Sequence, residues 1–197
     1  QRFPAVLCTS VNDETVHAVP SDRVLNEGDL FKLDVGVLHK GLHTDMAVTV
    51  LVTEYSRLTV MFRPEYVQKR KLMRITHQAL ERGIAQARTG KTLGDISAAI
   101  QNHIQANGFA VVRELGGHGI GRVLHEEPFI PNFGRAGKGQ RIVHGMVIAL
   151  EPITSMGSWR IKDSKDGFGY LTNDGSLSAH FEHTVVVTKR NPLVITG

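Results

Sequence analysis

The sequence predicts an α+β fold on three observations. The stretch from Asp29 to Val52, DLFKLDVGVLHKGLHTDMAVTVLV, alternates apolar and polar residues on both sides of a short turn and reads as a β-hairpin. From Glu65 to Gly108 the apolar period becomes that of helices. Beyond Gly108, short strand-like runs return and continue to Thr188. A chain of 197 residues, 41% hydrophobic and 21% charged, is long enough for one domain with a sizeable core and has the composition of a soluble globular protein.

The elements follow in order. Phe3 to Ser10 is a short apolar run, Asn12, Asp13 and Glu14 turn the chain, and Val16 to Val19 is an extended piece ended by Pro20. His17 lies in that piece, where an imidazole between apolar residues is most simply a satisfied core group. After a polar connection from Ser21 to Asp29 comes the hairpin. Leu33, Val35 and Val37 alternate with Asp34 and Gly36; after the turn, Met46, Val48, Val50 and Val52 alternate with Asp45, Ala47 and Thr49. A turn centred near His39 and Lys40 would set Asp34 opposite Asp45 on one face, with Cβ atoms about 5 Å apart. Like charges that close repel unless cations sit between them, and a dinuclear site with metals roughly 3.5–4 Å apart needs carboxylates at this spacing. On this stretch alone, two exposed hairpin aspartates are the simpler reading. Leu58 to Phe62 reads as a prolongation of the sheet.

Leu72, Ile75, Ala79 and Ala87 recur at helical spacing, with Pro64 before the start and Gly90 after the end. Thr92 and Asp95 form a variant capping box for a second helix, whose stripe is Ile96, Ala99, Ile100 and Ile104 and which stops at Gly108. Both stripes read as core faces against the sheet. In RELGGHGIGRVLHEEPFIPNFG, four glycines (116, 117, 119 and 121) frame His118, and His125 follows seven residues later. No helix start follows, so this is not a dinucleotide loop, and two histidines in so glycine-rich a setting favour a site over packing. After a basic, glycine-rich loop from Arg135 to Arg141, Met146 to Leu150 is a buried-looking strand running into Glu151 and Pro152. An acid there is costly unless paired or ligating a cation. KDSKDGFGYLTNDGS reads as a hairpin extension with Asp174 and Gly175 at its tip. SAHFEHTVVVT is the last strand, with Phe181, His183, Val185 and Val187 on one face and His180, Glu182, Thr184 and Val186 on the other.

Composition excludes several classes. The formal charge of +4 and pI near 9.4 come from scattered Lys and Arg, and their densest run, Gln68 to Arg74, lies on a helix face, so no specific nucleic-acid partner is expected. Cys8 is the one cysteine, so no intrachain disulfide forms, and its apolar setting argues against a nucleophile. No run approaches eighteen consecutive apolar residues and no leader pattern opens the chain; the expectation is a cytoplasmic protein with no membrane partner.

Four carboxylates (Asp34, Asp45, Glu151 and Glu182) and His118 thus sit on or beside strands where lone charges would be destabilising. Oxygen-rich ligation with a single imidazole suits two divalent first-row metal ions such as Mn, Fe or Co, and the cysteine count excludes a thiolate zinc site. A dimetal cluster holding a hydroxide is a hydrolytic device. A purely structural metal site would not need the further histidines His17 and His125.

The stretches TSVNDETVHAVP, LDVGVLHKGLHTDMAVT, GGHGIGRVLHEEP, ALEP and KDGF followed by DGSLSAHFEHTVVVT cover nearly the whole chain, and on them the sequence resembles the type I methionine aminopeptidases. The resemblance implies a pita-bread (creatinase/aminopeptidase) fold, with a curved antiparallel sheet and helices on its outer face, and removal of the initiator methionine. It places the metal ligands at Asp34, Asp45, His118, Glu151 and Glu182. It implies catalytic roles for His17, His125 and Glu151, with His17 and His125 contacting the substrate near the scissile amide. Trp159 is matched, from poorly matching surroundings, to the aromatic residue bordering the methionine pocket. Implied partners are peptide and nascent-protein N-termini, with ribosome association and a monomer or a dimer left open.

Proline-specific aminopeptidases share the five ligands, but usually carry an arginine and an isoleucine ahead of the last glutamate, where this chain has HFEHT. The short separation of His118 and Glu151 leaves no room for the helical insertion of the type II enzymes. The alternatives are a proline-specific or relaxed-specificity aminopeptidase and a non-catalytic pita-bread binding protein. The family's segment ahead of the Phe3–Pro4 match, with a helix and part of the methionine-pocket wall, has no counterpart here, so residues 1–197 are expected to form a single catalytic domain that is short at its front. Either a dimer covering the bared sheet or a relaxed preference for the first residue is then expected.

Overall fold

A computed structural model describes residues 2–53 and 63–197, so the expected strand at Leu58 to Phe62 lies outside the described residues. The chain begins with β1 (Cys8–Val11) and β2 (Glu14–Val16), joined by a turn at Asn12 and Asp13. The hairpin of β3 (Leu30–His39) and β4 (Leu42–Leu51) closes on Lys40 and Gly41, whose φ angles of 49° and 80° are the paired positive values that a two-residue hairpin turn demands. The turn is therefore centred one residue later than expected. Asp34 faces Ala47 and Asp45 faces Gly36, which corrects the direct opposition of the two aspartates. A shift of one in the turn centre moves every partner by two, so both carboxylates keep their common face but stand diagonally.

A 3₁₀ turn (Pro64–Tyr66) precedes helix α1 (Val67–Gln86), so the regular helix starts two residues beyond Glu65. α1 buries Leu72, Ile75, Ala79 and Leu80, a stripe at helical spacing. Helix α2 (Leu93–Ala106) starts at the expected capping box, where the Asp95 carboxylate accepts from the Thr92 backbone N–H at 2.8 Å. Its stripe is Leu93, Ile96, Ile100 and Ile104. Gly83 permits the close crossing of the helices, since a Cβ there would come within 2.9 Å of Ile100 Cδ1. The two helices pack on each other and against the sheets, and this layer holds the main core with Leu30, Ile148, Leu150, Val185 and Val187. Burying each such side chain is worth about 1.5–3 kcal/mol.

The second half supplies β5 (Ala110–Val111), β6 (Gly116–Gly119), β7 (Glu126–Pro131), β8 (Val147–Leu150), β9 (Ile153–Ser155), β10 (Ile161–Asp163), β11 (Tyr170–Thr172), β12 (Ser178–His180), β13 (Glu182–Val186) and β14 (Leu193–Val194). The main sheet runs β1-β3-β4-β13-β8-β6-β7, with β14 also on β13; small sheets β10-β11-β2 and β12-β9-β5 flank it, and the pairings are antiparallel. The expected last strand is two strands. β12 pairs with β9, the chain breaks at Phe181, and β13 then enters the main sheet between β4 and β8. Asp174 and Gly175 are not a hairpin tip either: β10 and β11 are joined through Ser164 to Gly169, where Asp166 Oδ1 accepts from the N–H of Phe168 and Gly169, and Asp174–Gly175 turns β11 toward β12. Among the described residues, no helix is long and apolar enough to cross a membrane.

Candidate metal centre

The main sheet brings the five expected ligands to one place. Ala47 on β4 is flanked by Asp34 on β3 and Glu182 on β13, and Ala149 on β8 by Thr184 on β13 and His118 on β6. Small side chains at these two buried positions leave room above the sheet for the larger acidic and imidazole groups. Glu151 follows directly on β8, with its carbonyl accepting from Asn132 Nδ2 at 2.9 Å. The glycines around His118 have a packing reason: a Cβ at Gly117 would meet Ala149 O at 2.2 Å, and one at Gly119 would meet Glu127 O at 2.2 Å.

His118 Nδ1 lies 2.9 Å from the Gly119 carbonyl, which accepts its N–H and turns Nε2 into the cluster, 3.6 Å from Glu151 Oε1 and 4.0 Å from Glu182 Oε1. Ligand atoms of Asp34, Asp45 and Glu182 lie within 4.8 Å of one another, as do those of His118, Glu151 and Glu182. These two triads share Glu182. A third group joins Asp45, His118 and His125, so His125, expected as a catalytic and substrate-contacting residue, also stands within ligand range.

Burial, aided by the neighbouring Asp45 and Glu151, pushes the Asp34 carboxyl up to about 6. Burial likewise raises Asp45, Glu151 and Glu182, with other carboxylates adding to the shift of Asp45 and Glu182. Glu182 Oε1 is buried without a hydrogen-bond partner. Burial lowers His118 to about 4, keeping its imidazole neutral and able to ligate. Four crowded acids with an orphaned oxygen and a neutral imidazole are a donor set that divalent cations satisfy.

His17 directly follows β2 at φ 60°, a strained conformation for a residue with a Cβ, and burial lowers its ring to about 4. The His125 ring stands edge-on to that of His118, with centroids 4.4 Å apart. His17 and His125 both line the two cavities that meet at the cluster. The first cavity, of about 360 Å³, is lined by Asp34 and Asp45 together with the apolar Phe3, Val6, Leu7, Leu124 and Phe168. Phe3 and Phe168 meet edge-to-face at 5.5 Å. Reading the sequence missed Phe168, which sits in a turn-rich stretch without periodicity. Trp159 does not line either cavity; the guanidinium carbons of Arg113 and Arg160 lie over its ring at 4.6 Å and 5.4 Å from the centroid. Cys8 also lines the first cavity, but burial, and then the charges of Asp34, Asp45 and Glu182, push its thiol up to about 12, far from nucleophilic.

A curved antiparallel sheet that carries a carboxylate–imidazole cluster and is covered by helices defines a metallohydrolase of the pita-bread fold. The chain belongs to metallopeptidase family M24, which matches residues 1–189. It is 44% identical to a methionine aminopeptidase of Clostridium perfringens over 98% of this chain and 74% of that one. Among solved structures it is similar to the methionine aminopeptidase of Rickettsia prowazekii, with a TM-score of 0.91 and 37% identity over 99% of this chain and 75% of that one. The Thermotoga maritima enzyme of the same name gives a TM-score of 0.88 and 41% identity over 96% and 73% of the two chains. The resemblance read from the motifs therefore holds across the chain.

Proposed function

We propose that this chain is a metal-dependent aminopeptidase that removes N-terminal methionine from peptides and nascent proteins, acting as one catalytic domain over residues 1–197. The observation that carries this reading is the apolar cavity beside the carboxylate cluster, in a chain 38–44% identical to methionine aminopeptidases over nearly its full length. Asp34, Asp45, His118, Glu151 and Glu182 would hold two divalent cations, Mn, Fe or Co. When bound, such ions activate water and polarise a carbonyl.

The chain's own groups supply the rest. The cavity walled by Phe3, Leu124 and Phe168 takes the flexible methionine side chain, whose thioether gains from aromatic edges. His17 and His125, which both line the two cavities, hydrogen-bond the substrate around the scissile amide and hold it in register. Glu151 carries a proton to the leaving amine. The nascent chain at the ribosome, in the cytoplasm, is the substrate this chemistry serves.

Release of free amino acid from Met-Ala-Ser, Ala-Pro-Ser and Leu-Ala-Ser, measured after chelation and again with Mn or Co restored, tests the reading. Metal-dependent release from Met-Ala-Ser alone is expected. Cleavage of Ala-Pro-Ser at an equal rate, or no release from any peptide with metal present, would overturn it.

A further inference from the structure

His180 closes β12 and is buried at 1% exposure, yet neither ring nitrogen has a hydrogen-bond partner. Two buried polar atoms left so are costly and call for a reason. The backbone around the ring is firmly fixed. Its N–H donates to Thr49 Oγ1 at 2.9 Å, its carbonyl accepts from the same hydroxyl at 2.7 Å, and it is paired with Ile153 on β9. Ile153 lies two residues beyond Glu151, and the next amide, Phe181 N–H, reaches Pro152 O at 3.5 Å. The segment carrying His180 is thus bound directly to the segment carrying Glu151.

That scaffold aims the ring at one group. His180 Nε2 lies 3.6 Å from Glu151 Oε2, while the other oxygen, Oε1, is 3.6 Å from His118 Nε2. Glu151 is held between two imidazoles, one oxygen to each. A shift of about half an ångström brings His180 within hydrogen-bond range, and such contacts tighten when a site is loaded.

We propose that His180 is a positioning residue, donating from Nε2 to Oε2 of Glu151 and so fixing how that carboxylate is turned toward the cations. This rests on the aminopeptidase reading only for its kinetic consequence; the effect on cation affinity stands without it. Carboxylates that ligate a cation are oriented by such outer partners, and losing one typically weakens binding or turnover about 10- to 100-fold.

The test compares His180→Leu, which removes the donor, with His180→Gln, which offers an amide N–H in its place. Because the ring nitrogens have no other partner, leucine costs the fold no other hydrogen bond, and thermal melting of the chelated proteins checks this. Calorimetric titration with Mn alone is expected to show His180→Leu binding at least about tenfold more weakly with the same number of ions, and His180→Gln within about threefold of the parent. On Met-Ala-Ser, kcat of the leucine variant should fall at least about tenfold with KM within about twofold, and glutamine should restore it. Parental Mn affinity in His180→Leu, a glutamine variant no better than leucine, or loss of one bound ion, which would make His180 a direct ligand, would each overturn the proposal. A parent protein that releases no methionine would overturn the aminopeptidase reading instead and leave the Mn titration to decide this one.

Discussion

The Thr184 hydroxyl grips the Asp45 backbone on both sides, accepting from its N–H at 2.8 Å and donating to its carbonyl at 2.8 Å. The β4–β13 ladder pairs Glu182 with Ala47 and His183 with Met46, and at the next position this side chain takes over from the backbone. Both groups are buried, so removing the hydroxyl strands a donor and an acceptor away from water. Thr184→Val should lower unfolding stability by about 1–3 kcal/mol, and Thr184→Ser should stay close to the parent. Urea unfolding of the chelated proteins measures this, and coincident curves for valine and parent would refute it.

Removing a cluster oxygen's charge should remove an ion. Asp45 belongs to two of the three ligand groups, so Asp45→Asn should bind fewer divalent ions than the parent and release little methionine. Activity of the parent should vanish with chelator and return with Mn or Co. Metal analysis that finds full occupancy in Asp45→Asn would count against Asp45 as a ligand.

His125 stands at the junction of the two cavities, where a donor can reach a substrate carbonyl. Loss of one positioned donor costs on the order of a hundredfold in turnover. His125→Ala should hold its ions as the parent does and turn over Met-Ala-Ser about a hundredfold more slowly. Its proximity to Asp45 and His118 makes the metal titration the discriminating control: lost ions would mark it as a ligand.

Lys32 is buried at 1% exposure, its ammonium donating to Asn12 O at 2.9 Å and Ser178 O at 3.2 Å, and burial pulls it down to about 7 from an ordinary 10.5. Between those values the unfolded chain binds the proton that the folded chain has lost. Lys32 therefore contributes a rise in stability as pH increases from about 7 to 10.5, and its full cost is felt below 7. Lys32→Met should remove that slope, so the stability of the variant relative to the parent is greatest near pH 7 and declines toward pH 10, by on the order of a few kcal/mol. Parallel stability curves for the two proteins across this range would show that Lys32 titrates normally.

Period-two alternation from Leu33 to Val52 and the Thr92–Asp95 box were legible without coordinates, because both are local: each needs only the spacing of neighbouring residues. The residue types of the five cluster members were legible too, since an acid interrupting a buried strand demands a partner wherever the strand goes. Alternation reports a face but not a rung. It left Asp34 and Asp45 looking directly opposed, and only the positive-φ turn at Lys40 and Gly41 set them diagonally. The break at Phe181 was hidden because apolar and polar residues alternate smoothly through it, whereas the strand changes sheets to satisfy two different sets of backbone partners. The sequence by itself marked Asp34, Asp45, His118, Glu151 and Glu182 as candidates for one cluster. Which side chains meet was decided by the pairing of strands far apart in the chain: this pairing brings Phe3 to Phe168, sets His180 against Glu151, and leaves Trp159 stacked on arginines and lining neither cavity.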